Sequence, residues 1–231
     1  MATESQHPLL VTTGWLAEQG DDFDFVLIDC GDPVAYRRAH IPGAVSISHD
    51  PYLKGNRSKL VMDADEFEPL VRGLGVSNDT AVVLYDDNAS LHAARVWWVF
   101  ERLGHTNVRV VDGGFNAWLH EERPITSRAP RPTPGNFTAT IHEGHTCTID
   151  DLRAIVDGGG AAQIWDTRTD GERDGSNSRG NKRTGYVPGS IHLEWTNLFD
   201  GPPSRRFKPL DDIRKILVDA GLNPKAETVS Y

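Results

Sequence analysis

Residues 26–47, "VLIDCGDPVAYRRAHIPGAVSI", are answered far along the chain by residues 162–193, "AQIWDTRTDGERDGSNSRGNKRTGYVPGSIHL". Each stretch is an apolar strand ending in Asp, a polar segment, a turn led by His40 or Tyr186 with Pro-Gly-small inside it, and a second apolar run. Asp29 aligns with Asp166 at an offset of 137 residues and Pro42 with Pro188 at 146, so the later copy carries nine extra residues in its polar segment. Beyond the turn the 146 offset holds without a gap: Gly43 meets Gly189, Asp65 meets Asp211, Gly75 meets Gly221 and Tyr85 meets Tyr231.

A helix is repeated in the same register. Phe67, Leu70, Val71 and Leu74 have helical spacing and are answered by Ile213, Ile216, Leu217 and Ala220. Self-similarity on this scale predicts two tandem α/β domains, each a mainly parallel sheet flanked by helices. The first spans 1–125, a Pro- and Thr-rich stretch at 126–145 reads as a linker, and the second spans 146–231. After Tyr85 the first copy continues through a loop, the helix "LHAARVWWVFERLG" with Val96, Trp97, Phe100 and Leu103 on its apolar face, the strand "VRVVDGG" and the helix "FNAWLHEE". The second copy has no counterpart of these, so it is expected to be incomplete, with more chain after Tyr231.

Composition narrows the function. At 231 residues, 38% hydrophobic and 25% charged, the chain has the make-up of a folded water-soluble protein, and no apolar run reaches the roughly 18 residues a spanning helix needs. The N-terminus has no secretory signal pattern, and two cysteines, Cys30 and Cys147, are too few for a disulfide framework, so a cytoplasmic location is expected. A net charge of −9 argues against nucleic acid or an anionic membrane as partner. Residues 179–208 run the other way, with six basic side chains against two acidic ones, which suits either a solvated basic face or an anionic substrate.

With the repeat, the turns "HIPGAV" at His40 and "YVPGSI" at Tyr186, the "DTR" at Asp166 to Arg168 and "VVDGGFNAWL" at Val110 to Leu119, the chain resembles the tandem-domain rhodanese sulfurtransferases over nearly its whole length. The stretch "HLEWTNLFDG" is similar to the bacterial thiosulfate type. The resemblance implies a catalytically silent first domain and a nucleophilic cysteine opening the loop after the central strand of the second, that is, directly after Tyr231, at position 232. That thiolate would take the outer sulfur of thiosulfate as a persulfide and pass it to cyanide or a thiol, with neither metal nor organic cofactor. In the first copy the equivalent loop begins Asp86-Asp87, carboxylates that cannot carry a sulfane sulfur; its plainest role is to turn the chain and cap the helix at Leu91.

The resemblance also nominates donor-binding residues. Arg168 would face the donor anion, the alternative being a salt bridge to Glu172 or Asp170. Trp195 would line the pocket, with core packing as the alternative. Arg183 would belong to a cationic rim with Arg179 and Lys182 of the insertion, and Tyr186 stands where the family more often has histidine. Asp166 reads as structural, holding the strand end through backbone N–H groups. "HEGHTC" at 142–147 contains metal-ligand residue types but lacks a second motif half. Competing functions are 3-mercaptopyruvate sulfurtransfer, phosphate-ester hydrolysis on a related loop, and a non-catalytic binding module should the chain truly end at Tyr231. A monomer is the expected state.

Overall fold

The computed structural model describes residues 7–20, 24–47, 53–55, 61–159 and 161–231. The chain divides into two units, Met1–His145 with Gly201–Arg206, and Thr146–Asp200 with Phe207–Tyr231.

The first unit is built on five parallel strands, β1 (Leu10–Val11), β2 (Phe25–Asp29), β3 (Val45–Ser46), β4 (Ala81–Tyr85) and β5 (Val108–Val111), in the order β1-β5-β4-β2-β3. The central strand reads Ala-Val-Val-Leu-Tyr, apolar at every position, because a parallel sheet is covered on both faces. Val82 and Leu84 point into one core with Phe67, Val96 and Phe100, while Val83 and Tyr85 point into the other with Leu16, Leu27 and Trp118. The coverings are α1 (Thr13–Glu18), α2 (Pro33–Arg38), α3 (Ala64–Gly73), α4 (Leu91–Arg102) and α5 (Gly114–His120). Asp32 starts α2 by accepting from the N–H groups of Val34 and Ala35 at 2.7 and 2.9 Å, with Pro33 at the first helical position.

The stretch expected to be a linker is part of this unit. Phe137 is fully buried between Phe67 and Phe100, edge-on to both at 6.1 and 6.4 Å between ring centres. Arg72 Nε donates to the Phe137 carbonyl at 2.7 Å, and Glu68 accepts from the Ala139 N–H at 2.9 Å. One aromatic in a Pro- and Thr-rich run is enough to fix the run onto a helix pair, and a composition window does not register it.

The second unit has β6 (Gln163–Asp166), β7 (Ile191–His192) and β8 (Thr228–Ser230), parallel and in the order β7-β6-β8. This repeats the β3-β2-β4 order of the first unit. Its helices are α6 (Ile149–Ala154), α7 (Asp170–Asp174) and α8 (Leu210–Asp219), and α8 starts and ends 146 residues after α3. The turns agree as well: Gly75 and Gly221, each following its helix, have φ of +92° and +94°. Packing differs. Ile164 and Leu222 are the buried hydrophobic residues among those described in this unit, while Ile149 and Val218 are 71% and 58% exposed.

Candidate active site

In both units a carboxylate closes a strand, Asp29 on β2 and Asp166 on β6, and sits against a tyrosine at the end of the neighbouring strand. In the first, Asp29 Oδ1 accepts from the Gly31 N–H at 2.8 Å, and the Tyr85 hydroxyl accepts from the Ile41 N–H at 3.2 Å. In the second, Asp166 Oδ1 accepts from the Arg168 N–H at 3.2 Å, the Tyr231 hydroxyl donates to Asp166 Oδ2 at 3.0 Å, and it accepts from the Val187 N–H at 3.0 Å. The frame is the same and its surroundings are not.

Around Asp166 the sequence places cations. Arg168 forks onto the carboxylate, Nε to Oδ1 at 2.9 Å and Nη2 to Oδ2 at 2.8 Å, and it also donates to the Gly185 carbonyl at 3.0 Å. Arg173 adds a third side-chain donor at 3.1 Å. Asp166 is completely buried; burial alone would raise its pKa, but the Arg168 side chain and N–H, with the Tyr231 hydroxyl, hold it well below the usual carboxylate range. The same pairing raises Arg168 above the usual arginine value. Arg168 therefore pairs with Asp166, two residues before it, rather than with Glu172 or Asp170. Glu172 is taken by Arg179 at 3.2 Å and Asp170 by His192 at 2.8 Å.

Beside this pair lies an open cleft of about 690 Å³. Arg168, Arg183, Tyr186 and Tyr231 line it, with apolar walls from Leu152 and Val156 of the second unit. Three of the four expected donor-binding residues, Arg168, Arg183 and Tyr186, are thus brought together. Trp195 is not: it is absent from the cleft wall, and its indole packs edge-on against Phe199 at 5.6 Å, because the short 3-10 turn Trp195–Leu198 directs it into a local aromatic cluster with Phe199 and Phe207. Arg179 and Lys182 do not line the main cleft; Arg179, Arg168 and Arg183 together border a separate pocket of about 70 Å³ on the inserted loop. Arg173, which the sequence reading passed over, is the added member of the charge cluster.

The first unit has a smaller cleft, about 220 Å³, beside the end of β2, and acidic side chains dominate it. Asp29, Asp32 and Asp87 line it against a single Arg38. Burial, reinforced by Asp87 and opposed by Tyr85 and Gly31, pushes Asp29 up to about 6. Next to this cleft the loop after β4 is closed by its own side chain. Asp86, almost fully buried, accepts four backbone N–H groups: Asn88 at 2.8 Å and Ser90 at 2.9 Å on Oδ1, His92 at 2.7 Å and Ala93 at 2.9 Å on Oδ2. A carboxylate fills an anion nest at the N-terminus of α4. The cap expected from the Asp86–Ser90 stretch as a whole is made by Asp86 alone, while Ser90 takes a positive φ of 64° and gives no capping bond. Gly114 lets this loop sit down: a Cβ there would lie 2.2 Å from the Asp86 carbonyl oxygen.

Neither cysteine lines either of these clefts. Cys30 is fully buried with its thiol pKa raised by that burial, and Cys147 is exposed ahead of α6. Among the described residues no group of three or more His, Cys, Asp or Glu side chains is placed to hold a metal ion, and no helix is long and apolar enough to cross a membrane.

The chain is similar to known proteins in sequence and in fold. A rhodanese-like domain is matched over residues 12–121. SseA of Mycobacterium tuberculosis is 30% identical over 97% of this chain and 77% of its own length. The thiosulfate sulfurtransferase of Corynebacterium glutamicum is 29% identical over 99% of this chain and 78% of its own. Among solved structures, SseA from Escherichia coli, described as a 3-mercaptopyruvate sulfotransferase, superposes with a TM-score of 0.83 at 25% identity, covering 96% of this chain and 87% of that one.

Proposed function

The chain belongs to the rhodanese family, and from that premise we propose that it is a sulfurtransferase moving a sulfane sulfur from thiosulfate to cyanide or a thiol. The observation that carries this reading is the opposite charge of the clefts beside the two strand ends, β2 and β6. Arg153, Arg168 and Arg183 line the second against a single Asp157, so a small dianion would be drawn there, whereas Asp29, Asp32 and Asp87 line the first against a single Arg38, so it would be repelled.

The chemistry is a two-step displacement. A thiolate attacks the outer sulfur of thiosulfate; the new S–S bond forms as the donor's own S–S bond breaks, and sulfite leaves with the electron pair. The acceptor then attacks the outer sulfur of the persulfide and the thiolate is restored. In the register of the repeat the position equivalent to Asp86 is the one after Tyr231, and there the reading requires the thiolate. The Asp86 nest is the support for that placement, because its four converging N–H groups are the donors that would stabilise a thiolate or persulfide. Arg168 and Arg183 would hold the sulfite end of the donor, and Tyr186 and Tyr231 would form the aromatic side of the cleft. The same two guanidiniums suit the carboxylate of 3-mercaptopyruvate, the donor class that the likeness to Escherichia coli SseA raises. We place the protein in the cytoplasm, supported by its two unpaired thiols.

The test is thiocyanate formation by the native protein with each donor, combined with peptide mass analysis. A cysteine that gains one sulfur atom from thiosulfate and loses it to cyanide is expected. Arg183, exposed and without an ion-pair partner among the described residues, is the informative substitution: Arg183→Met should raise KM for thiosulfate about tenfold while leaving the melting temperature unchanged. A wild-type protein that makes no thiocyanate and never gains sulfur would overturn the proposal.

A further inference from the structure

Two substitutions separate the turns of the two units, and they are coupled. In the first unit Tyr36 stacks on the His40 ring, 3.9 Å between centres and 16° from parallel, and its hydroxyl donates to the Ala44 carbonyl at 2.7 Å. The equivalent positions in the second unit hold Arg173, Tyr186 and Ser190. There the Arg173 guanidinium lies 4.0 Å over the Tyr186 ring and donates to the Ser190 carbonyl at 3.4 Å and to its hydroxyl at 3.2 Å. A flat group on the helix still stacks on a ring from the turn and still donates to the same carbonyl. Two things are new: the stacking group is charged, and it reaches the buried carboxylate at 3.1 Å.

Asp166 is thereby shared between two guanidiniums. One negative charge faces two positive ones, so the pair that borders the cleft keeps an excess of one positive charge. In the first unit Gly31 and Tyr36 stand in place of Arg168 and Arg173, and among the described residues the side-chain partner of the equivalent carboxylate is the neutral Tyr85 hydroxyl. Arg173 itself does not line the cleft; Tyr186 and Arg168, both of which it touches or shares a partner with, do.

We propose that Arg173 is a positioning residue that keeps Arg168 and Tyr186 in place and leaves the cleft one positive charge in excess for a small anionic donor, with Tyr186 as its matched partner. The inference rests on the sulfurtransferase reading for the identity of the donor, but not on turnover. A guanidinium needs an aromatic face to lie on, and a histidine at 186 would set a second, titrating cation against it; a tyrosine at 173 would fit a histidine but carry no charge.

The test uses thiosulfate as the probe, its dissociation constant measured calorimetrically alongside turnover and melting temperature for wild type, Arg173→Lys, Arg173→Tyr and the double variant Arg173→Tyr/Tyr186→His, which installs the first unit's pairing. Arg173→Tyr should weaken thiosulfate binding about tenfold, the effect of one partly screened charge at close range, with kcat within about twofold of wild type. The double variant should recover the melting temperature but not the affinity, and Arg173→Lys should recover part of the affinity. Should Arg173→Tyr alone not fold, the double variant carries the measurement. A double variant that binds as tightly as wild type would show that Arg173 only fills space, and unchanged affinity in Arg173→Tyr would do the same. Wild type that binds thiosulfate without turning it over would sink the sulfurtransferase reading and leave this proposal to the affinities; wild type that does not bind thiosulfate would overturn this one.

Discussion

Asp29 and Asp166 close equivalent strands, touch equivalent tyrosines and are both buried, yet one is pushed up to about 6 and the other is held far below the usual carboxylate range. Burial acts on both in the same direction. What decides the outcome is chiefly one neighbour, Arg168 in the second unit where the first has Gly31, with Asp87 adding a like charge beside Asp29. The backbone frame that presents a carboxylate is common property of the repeat; its charge state is set by residues the fold does not require.

The harshest way to break this comparison is to remove each carboxylate. Asp166→Ala leaves two guanidiniums converging on an empty buried site and should cost the second unit about 3–5 kcal/mol, whereas Asp29→Ala should cost much less. Urea unfolding followed with a probe in each unit would show it, since two units need not melt together. Equal losses would mean that the arginines around Asp166 contribute nothing. Next in size, Asp86→Ala strands four backbone N–H groups and should take about 2–4 kcal/mol from the first unit in the same experiment.

A gentler probe is pH, and here the two units should move in opposite directions. The folded-state value of Asp29, about 6, lies above its ordinary 3.8, so the unfolded chain gives up the proton first. Its contribution is fully present below about pH 4 and is lost as pH rises through 6, a change of roughly 2–3 kcal/mol at most. Asp166 has a depressed folded-state value, so its contribution is present above the ordinary carboxylate range and is lost as pH falls below it. Asp29→Asn should flatten the first unit's dependence between pH 4 and 7 and leave the acid limb of the second intact. A first unit that gains nothing on acidification from pH 7 to 5 would remove Asp29 from the account.

The smallest effect sharpens the comparison at the helix ends. Gly75 and Gly221 share their positive φ, so Ala at either should cost about 1 kcal/mol of backbone strain. At Gly75 the added Cβ would also meet Pro132 Cβ and the Thr133 carbonyl oxygen at 3.3 Å, while nothing lies within 4 Å at Gly221. Gly75→Ala should therefore lower the melting temperature of its unit more than Gly221→Ala lowers that of its own.

The skeleton of the fold was legible because it is written twice. An offset read from glycines and apolar positions places α8 on α3 and β8 on β4, since both depend on backbone conformation and periodic burial, which survive divergence. Arg168, Arg183 and Tyr186 came from the family resemblance rather than from the repeat, and their places at the strand end and the turn put them on one cleft wall. Contacts decided by one side chain were not. Phe137 lay hidden in a stretch whose composition spoke for a linker, Trp195 turned to a local aromatic cluster, and Arg168 found the carboxylate two residues before it rather than those on α7. The signal for Arg173 was present, in its alignment with Tyr36, but it becomes visible only when the polar segments are superposed at the 137 offset and the stacking partner across the turn is known.

The filled nest at Asp86 bears on what holds the first unit together. A loop that keeps its amides open for a passing anion must rely on water or substrate to satisfy them, and each opening is a weak point in the unit that carries it. Once an aspartate built into the loop occupies the site, those amides become permanent structural bonds and the helix gains a built-in counter-ion. Selection on folding alone would then retain the aspartate, and any replacement of it would first have to pass through a less stable protein.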